Sequence, residues 1–188
     1  MNKVILASGS PRRKELFETL NIPFDIKVSN VDESLDANLS ICENIEALSF
    51  RKALAVFKEN KDSVVIGSDT VVVINGEVLG KPKNEENASV MLHKLSNKTH
   101  QVITAVSIIS TTKSETYSIV SDVTFNQMSE EEIIGYINTK EPFDKAGGYA
   151  IQGYGARFIK EIKGDYYAIV GLPVSSLYQR IQKYLWKE

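Results

Sequence analysis

The sequence predicts an α/β protein in which a mixed β-sheet is flanked by helices. Two hairpin signals support antiparallel pairing: Asn75-Gly76 within the apolar run 63–79, and the turn Thr-Thr-Lys-Ser between 101–110 and 115–125. Amphipathic stretches with helix-capping residues separate the strand-like segments. Hairpins and helices in one chain favour a mixed sheet over a purely parallel one.

The element boundaries follow from local start and stop signals. Predicted strands span 3–7, 24–29, the two halves of 63–79, 101–110, 115–125 and the glycine-containing stretch 149–169. Predicted helices span 10–21 with Ser10 as N-cap, 40–60 and 129–139 with capping boxes, 85–96, and a last helix from Pro173 through Leu185.

Composition indicates a single globular domain, residues 1–188, in a reducing compartment. The chain has 22 Lys plus Arg against 24 Asp plus Glu, a net charge of −2, so a global basic field for nucleic acid is absent. The single cysteine, Cys42, cannot form an internal disulfide. No apolar run is long enough for a signal peptide or a membrane span, so we expect a cytoplasmic protein.

Cations crowd the start of the first predicted helix. Arg12, Arg13 and Lys14 follow Pro11, where the helix dipole disfavours positive charge. A helix N-terminus binds anions, and arginines hold phosphate oxygens in pairs. A solvated basic turn would also account for the pattern, but the strand–loop–helix setting favours a phosphate chain as the ligand.

Lys52 interrupts the apolar stripe of the second predicted helix, where a core residue is expected. A buried ammonium needs a partner. The side chain either extends to solvent along its apolar stem or points into a cleft and meets an anion.

Asp69 lies inside the apolar run VVIGSDTVVVI, between Ser68 and Thr70. The nearby hairpin turn is already supplied by Asn75-Gly76, so a turn role for Asp69 is less needed. A carboxylate there can act as a general base or bind a metal ion, whereas the structural alternative is a strand-end cap.

The stretch FDKAGGYAIQGYGARFI, residues 143–159, concentrates glycines with polar groups. Gln152 can read the edge of a base, and Asp144, Lys145 and Arg157 are better explained as structural. The stretch matches no phosphate-loop fingerprint, and a glycine-kinked strand explains it adequately.

Histidine chemistry is disfavoured, because His93 and His100 stand apart without ligand spacing and His93 is expected at the surface. Asp32, Glu33 and Asp69 suit an oxygen-preferring cation such as Mg²⁺.

Taken together, the motifs resemble those of the Maf family of nucleotide pyrophosphatases, linked to septum formation. The matching stretches are LASGSPRRKEL, VDES at 31–34, KA at 52–53, GSDTVV at 67–72, LGKP at 79–82, DKAGGYAIQGYGARFI at 144–159 and GDYYAIVGLPVSSL at 164–177. They cover nearly the whole chain in the family's order, and their combination is specific although each piece is not.

The resemblance implies an inosine-triphosphatase-like fold with an elongated mixed sheet and two lobes around a cleft. It implies hydrolysis of a nucleoside triphosphate to the monophosphate and pyrophosphate with a divalent cation, Mg²⁺ or Mn²⁺. Asp69 matches the family's proton acceptor. Arg12, Thr70 and Gln152 match the positions associated with the subgroup acting on dTTP and UTP, and they differ from the subgroup acting on 7-methyl-GTP.

The residues and the resemblance together suggest a role for each candidate. Ser8, Arg12 and Arg13 would hold phosphate oxygens, while Lys52 and Lys81 would neutralise charge on the leaving pyrophosphate. Metal binding is expected of Glu33 with Asp69, and base recognition of Thr70 and Gln152.

Two other functions stay open at this point. One is a 7-methyl-GTP pyrophosphatase of the same fold, and the other is a regulatory nucleotide-binding protein of septum formation with little turnover. An intact Asp69 with a full set of cations favours catalysis, since a pure binder needs no buried base. The resemblance is compatible with a homodimer, which the residues do not themselves indicate.

Overall fold

Strands and helices alternate over most of the chain in a computed structural model that describes residues 1–186. The helices are α1 (Pro11–Glu18), α2 (Ile41–Lys58), α3 (Glu85–Leu95), α4 (Glu130–Asn138), α5 (Tyr166–Val170) and α6 (Val174–Leu185). The strands are β1 (Lys3–Leu6), β2 (Asp25–Ile26), β3 (Ser63–Ile74), β4 (Glu77–Leu79), β5 (Thr99–Ile109), β6 (Ser114–Phe125) and β7 (Ile159–Lys163).

The strands form one seven-stranded mixed sheet in the order β2-β1-β3-β5-β6-β7, with β4 paired to β3. Strand β1 runs parallel to both β2 and β3. Strands β3 and β4 are antiparallel, as are β6 and β7. The predicted α/β class and mixed sheet are therefore confirmed.

Local capping chemistry sets the helix starts as predicted. Both capping boxes form: the Ser40 amide donates to Glu43 Oε2 at 2.8 Å, and the Ser129 amide donates to Glu132 Oε2 at 2.8 Å. In each helix the serine hydroxyl accepts from the glutamate amide, which satisfies two otherwise unpaired donors.

Both hairpins also form as predicted. Asn75 and Gly76 have φ values of 51° and 77°, the left-handed conformation that a type I′ turn requires at both central residues. At the second hairpin the Ser110 amide donates to the Lys113 carbonyl at 2.8 Å, and β5 and β6 are neighbours in the sheet.

The strand predicted over 149–169 is wrong for most of its length. Only Ile159–Lys163 is a strand, flanked by a short 3-10 helix at Tyr154–Phe158 and by α5. A sequence of apolar residues interspersed with glycines does not distinguish a strand from tight turns. Immediately before this segment, Gly147 and Gly148 have positive φ values, which turn the chain. The strand predicted over 24–29 shrinks to two exposed residues, Asp25 and Ile26, at the sheet edge.

The chain divides into two compact units. Unit 1 comprises residues 1–69, 104–119 and 171–188, and unit 2 comprises 70–103 and 120–170. The division falls within β3, β5 and β6, so each of these strands contributes to both units. The single domain over 1–188 stays a prediction.

Each unit has its own apolar core. In unit 1 a cluster joins β1, α2, β3 and β5 through Ile5, Ala7, Ala53, Val56, Val65 and Ile109. In unit 2 the cluster is larger and aromatic, with Phe125, Tyr149 and Phe158 among its members. Ala53 and Val65 of the unit 1 core lie on α2 and β3, the two elements that carry Lys52 and Asp69.

Two features of the chain bear on the expectations from composition: the length and polarity of its helices, and its single cysteine. Within residues 1–186, every helix is too short or too polar to cross a membrane. Cys42 carries a free thiol and is half-buried on α2.

Candidate active site

The start of α1 has the unusual electrostatics that the sequence suggested. Ser10 is the N-cap and accepts from the Arg13 amide, while the first turn contains no acidic residue. Lys14 turns to the surface, where its ammonium lies 3.7 Å from Glu18. Arg12 and Arg13 are half-buried, so they are the two cations retained at the helix N-terminus.

Hydrogen bonds to neighbouring loops hold the Arg13 side chain in place. Its Nη1 donates to Ser8 Oγ at 3.4 Å, and its Nε donates to the Gly171 carbonyl at 3.0 Å. The same carbonyl accepts from Ser68 Oγ at 3.2 Å. Burial lowers the pKa of Arg13, and the opposite charge of Asp69 acts against this shift. The guanidinium is therefore fixed beside Ser8, before any ligand arrives.

Lys52 joins two carboxylates. Its ammonium lies 2.6 Å from Asp69 Oδ1 and 2.8 Å from Glu33 Oε1. The Lys52 and Asp69 side chains are only 13% and 15% exposed, whereas Glu33 is 65% exposed. Lys52 therefore does not extend into solvent, and the structure brings together three of the predicted site residues.

Close packing of α2 on β3 places Lys52 opposite Asp69. A Cβ atom on Gly67 would lie 2.3 Å from the Ser49 carbonyl oxygen and 2.8 Å from the Ala53 nitrogen. Only glycine permits this approach, because these neighbours are rigid helix backbone. Lys52 lies on the same turns of α2, and Asp69 follows Gly67 by two residues on β3.

The remaining predicted site residues belong to unit 2. Thr70 follows Asp69 on β3 and is half-buried, while Lys81 and Gln152 lie in exposed loops. The loop of Lys81 packs on the glycine-rich segment, since the Gly147 amide donates to the Gly80 carbonyl at 3.0 Å. A Cβ on Gly148 would approach Pro82 Cγ to 3.1 Å.

Glu141 is a residue of this region that sequence reasoning missed. Its carboxylate accepts from the Tyr154 amide at 2.9 Å, the Gly155 amide at 3.0 Å and the Tyr136 hydroxyl at 2.8 Å. Burial acts to raise the pKa of Glu141, but hydrogen bonds from Gly155, Tyr136 and Tyr154 lower it overall. Glu141 thus fixes the turn that follows Gln152, a role that no periodicity or motif spacing indicates.

The other polar groups of the glycine-rich stretch contact neighbouring residues. Lys145 donates to Asp144 and to the Glu141 carbonyl. The Arg157 guanidinium lies 4.8 Å from the centre of the Phe158 ring. His93 is at the surface against Glu130, and His100 is buried in the unit 2 core.

The donor set around Lys52 is compatible with a hard divalent cation. Glu33 and Asp69 supply carboxylate oxygens, and a cation, the Lys52 ammonium, already lies between them. Among residues 1–186, no cluster of three or more His, Cys, Asp or Glu is assembled for metal binding. One or two carboxylates completed by substrate phosphates are what Mg²⁺ commonly uses.

The chain is similar in sequence to known proteins over nearly its whole length. A family model described as Maf-like protein matches residues 3–184. A Bacillus velezensis protein named dTTP/UTP pyrophosphatase is 52% identical over 182 residues, covering 97% of this chain and 96% of its own. A Bacillus cereus (strain G9842) protein with the same name is 49% identical over 184 residues, covering 98% and 96%.

A solved structure supports the fold. The Staphylococcus aureus Ham1 protein superposes with a TM-score of 0.55 at 14% identity, covering 97% of this chain and 99% of its own. At that identity the likeness concerns the fold alone.

Proposed function

Because this chain belongs to the Maf-like protein family, we propose that it is a nucleoside triphosphate pyrophosphatase that hydrolyses dTTP and UTP to the monophosphate and pyrophosphate. The observation that carries the proposal is the near-complete alignment, at 49% and 52% identity, with relatives named dTTP/UTP pyrophosphatase. The cluster of Lys52, Asp69 and Glu33 supports it, because it joins a base to a positive charge at one place.

Binding of the triphosphate is assigned to the start of α1. Ser8, Arg12 and Arg13 would contact phosphate oxygens there, with Arg13 held in position by Ser8 and Gly171. Fixed cations that need no rearrangement are the main source of rate in phosphoryl transfer. Lys52 and Lys81 would neutralise the charge that develops on the leaving pyrophosphate.

Glu33 and Asp69 would hold a divalent cation together with the substrate phosphates. Such a cation, Mg²⁺ or Mn²⁺, would polarise the attacked phosphoryl group and lower the pKa of a water molecule. The Lys52 ammonium between the two carboxylates keeps them close while their charges repel.

Asp69 would take the proton from the attacking water. An ionised carboxylate has four lone-pair sites, so the bond from Lys52 to Oδ1 leaves further capacity to accept. Thr70 and Gln152 would read the pyrimidine edge, whose carbonyls and single N–H an amide can pair with. Glu141 would support Gln152 by fixing the turn after it.

The cellular setting belongs to the same proposal. We expect house-cleaning of pyrimidine or modified nucleotides in the cytoplasm, with no nucleic-acid partner and a homodimeric assembly. Sedimentation of the purified protein tests the assembly.

The test is product analysis with a nucleotide panel of dTTP, UTP, CTP, dATP, GTP and 7-methyl-GTP, with Mg²⁺ or Mn²⁺. We expect pyrophosphate from dTTP and UTP. Asp69→Asn should lower kcat by about 10²–10⁴-fold, the range for a positioned general base, in a protein that still unfolds cooperatively.

Other outcomes would contradict specific parts of the proposal. Release of orthophosphate would mean attack at the γ-phosphate. Preference for 7-methyl-GTP would overturn the assigned base recognition. Tight nucleotide binding without turnover would support the regulatory function instead.

A further inference from the structure

The segment that carries Glu33 has no regular secondary structure to fix it. Residues 27–40 connect β2 to α2 without helix or strand, and residues 32–40 are exposed. Asp32 closes a small turn around Glu33: its Oδ1 accepts from the Ser34 amide at 2.9 Å and its Oδ2 accepts from the Ser34 hydroxyl at 2.6 Å. This turn shapes residues 32–34 but does not attach them to the rest of unit 1.

Arg51 makes that attachment. Its Nη1 donates to the Asp32 carbonyl at 2.6 Å, and its Nη2 donates to the Ser34 carbonyl at 3.0 Å. These two carbonyls lie on either side of Glu33 in the chain. The planar guanidinium fork spans both, which the single ammonium of a lysine cannot do in the same geometry.

Arg51 also adjoins Lys52 on α2, and Lys52 contacts the Glu33 carboxylate at 2.8 Å. One helix turn therefore holds the backbone of Glu33 through Arg51 and its carboxylate through Lys52. We propose that Arg51 is a positioning residue that fixes the Glu33 carboxylate beside Lys52 and Asp69. The inference rests on the proposed function, in which Glu33 acts at the substrate phosphates.

A surface ion pair with Asp32 does not account for Arg51. The Asp32 carboxylate is already bonded to Ser34, and these hydrogen bonds, before the charge of Arg51, lower the pKa of Asp32. The two guanidinium donors are directed at carbonyls instead.

The far end of the segment has its own anchor, so Arg51 is responsible for the part near Glu33. Asn44 is 5% exposed; its Oδ1 accepts from the Asp36 amide at 2.7 Å and its Nδ2 donates to the Asp36 carbonyl at 2.9 Å. These bonds fix the approach to α2 but do not reach the backbone of residues 32–34, which Arg51 holds.

A double-mutant cycle between Arg51 and Glu33 tests the proposal. Arg51→Ala should lower kcat/KM for dTTP about tenfold, as is typical when the support of a site carboxylate is removed. In a Glu33→Gln background, Arg51→Ala should change kcat/KM by less than about twofold, because the group that it positions is gone. A full tenfold loss in both backgrounds would overturn the proposal.

Arg51→Lys separates geometry from charge. It keeps the positive charge but not the fork, so it should recover only part of the lost kcat/KM. Complete recovery by Arg51→Lys would show that charge alone matters, which would also overturn the proposal.

Hydrogen exchange supplies a readout that does not need turnover. Amides in residues 31–36 should exchange faster in Arg51→Ala, whereas the matched control Lys58→Ala, an exposed cation at the end of α2, should leave them unchanged. Unchanged exchange in Arg51→Ala would show that Arg51 does not hold this segment, which would overturn the proposal. If the wild-type protein released no pyrophosphate, the proposed function would fail. Two measurements would then still decide the role of Arg51: hydrogen exchange of the amides in residues 31–36, and the affinity of the protein for α,β-imido-dTTP.

Discussion

Lys52 shows how a single residue can break the pattern of its helix and still be stable. Its ammonium occupies a position of the apolar stripe, yet its side chain is only 13% exposed. Two carboxylates at 2.6 and 2.8 Å compensate for the lost hydration, and the exposed Glu33 keeps one of them near water. An ammonium that would cost stability without partners is thus stabilised at a largely buried position.

His100 is a buried titratable residue with a structural role in the core of unit 2. Its Nε2 bonds to the Tyr149 hydroxyl at 2.7 Å, and its ring packs edge-on against Phe125 and Tyr149. Burial lowers the pKa of His100 from 6.5 to about 4, because the charged imidazolium would be desolvated. The neutral form is therefore the one that the fold accommodates.

This burial predicts a loss of stability in mild acid. The folded-state pKa lies below the unfolded value, so the unfolded chain binds more protons as pH falls from 6.5 towards 4. Over that window His100 should reduce the free energy of unfolding by up to about 3 kcal/mol. Urea unfolding at several pH values, compared with His100→Gln, measures this difference.

His93→Gln is the matched control for that measurement. His93 is at the surface, and the hydrogen bond that it donates to the Glu130 carboxylate raises its pKa, so its contribution has the opposite sign and disappears as pH rises. An acid dependence identical in wild-type and His100→Gln would contradict the structural role of the neutral imidazole.

At the scale of elements, the position of α2 on β3 determines the distance between Lys52 and Asp69. The contact is made where Gly67 removes the side chain that would separate helix and strand. The strand continues from Gly67 through buried Ser68 to Asp69, whose carboxylate then faces the helix. The distance between Lys52 and Asp69 is therefore set by packing at Gly67, two residues before Asp69.

Gly67→Ala tests this dependence. The added Cβ would lie 2.3 Å from the Ser49 carbonyl, so α2 must shift. We expect a loss of about 1–3 kcal/mol in the free energy of unfolding and a loss of about 10²-fold in kcat/KM, since small displacements are costly in catalysis. Chemical denaturation and steady-state kinetics with dTTP measure the two effects.

Gly135→Ala provides the comparison, because a Cβ at that exposed position of α4 meets nothing within 4 Å. It should leave kcat/KM unchanged and raise stability by up to about 1 kcal/mol. Wild-type kinetics in a folded Gly67→Ala protein would show that the helix–strand distance is not critical.

At the scale of the whole molecule, a chain with a net charge of −2 must attract an anionic substrate by local means. The cations Arg12 and Arg13 at the start of α1 would provide this local field in unit 1. Binding through phosphates should therefore dominate the affinity of the protein for a nucleotide.

Ligand binding should stabilise the molecule accordingly. At about 100 times its Kd, α,β-imido-dTTP should add about 2.7 kcal/mol, or roughly 5–10 °C in melting temperature for a chain of this size. Thymidine at the same concentration should give a much smaller shift, because it lacks phosphates. Equal shifts with thymidine and the triphosphate analogue, measured by scanning calorimetry, would contradict phosphate anchoring.

Features that depend on short stretches of chain follow directly from the order of the amino acids. Capping boxes at Ser40 and Ser129, the Asn75-Gly76 turn and the alternation of apolar residues act over a few positions, so they could be identified without the fold. The sequence also identified Lys52 and Asp69 as charged residues within apolar patterns. The segment 149–169 was misassigned because the conformation of its glycines depends on what packs against them.

Which of these residues come into contact depends on the folded chain. Lys52 and Asp69 are 17 positions apart, Arg51 and Asp32 are 19 apart, and Arg13 and Gly171 are 158 apart. Such contacts depend on how helix and strand pack and on which loop carbonyl faces a donor, and no local pattern encodes these. The hydrogen bonds from Arg51 to the Asp32 and Ser34 carbonyls, and those that Glu141 accepts, therefore became visible only in the folded chain.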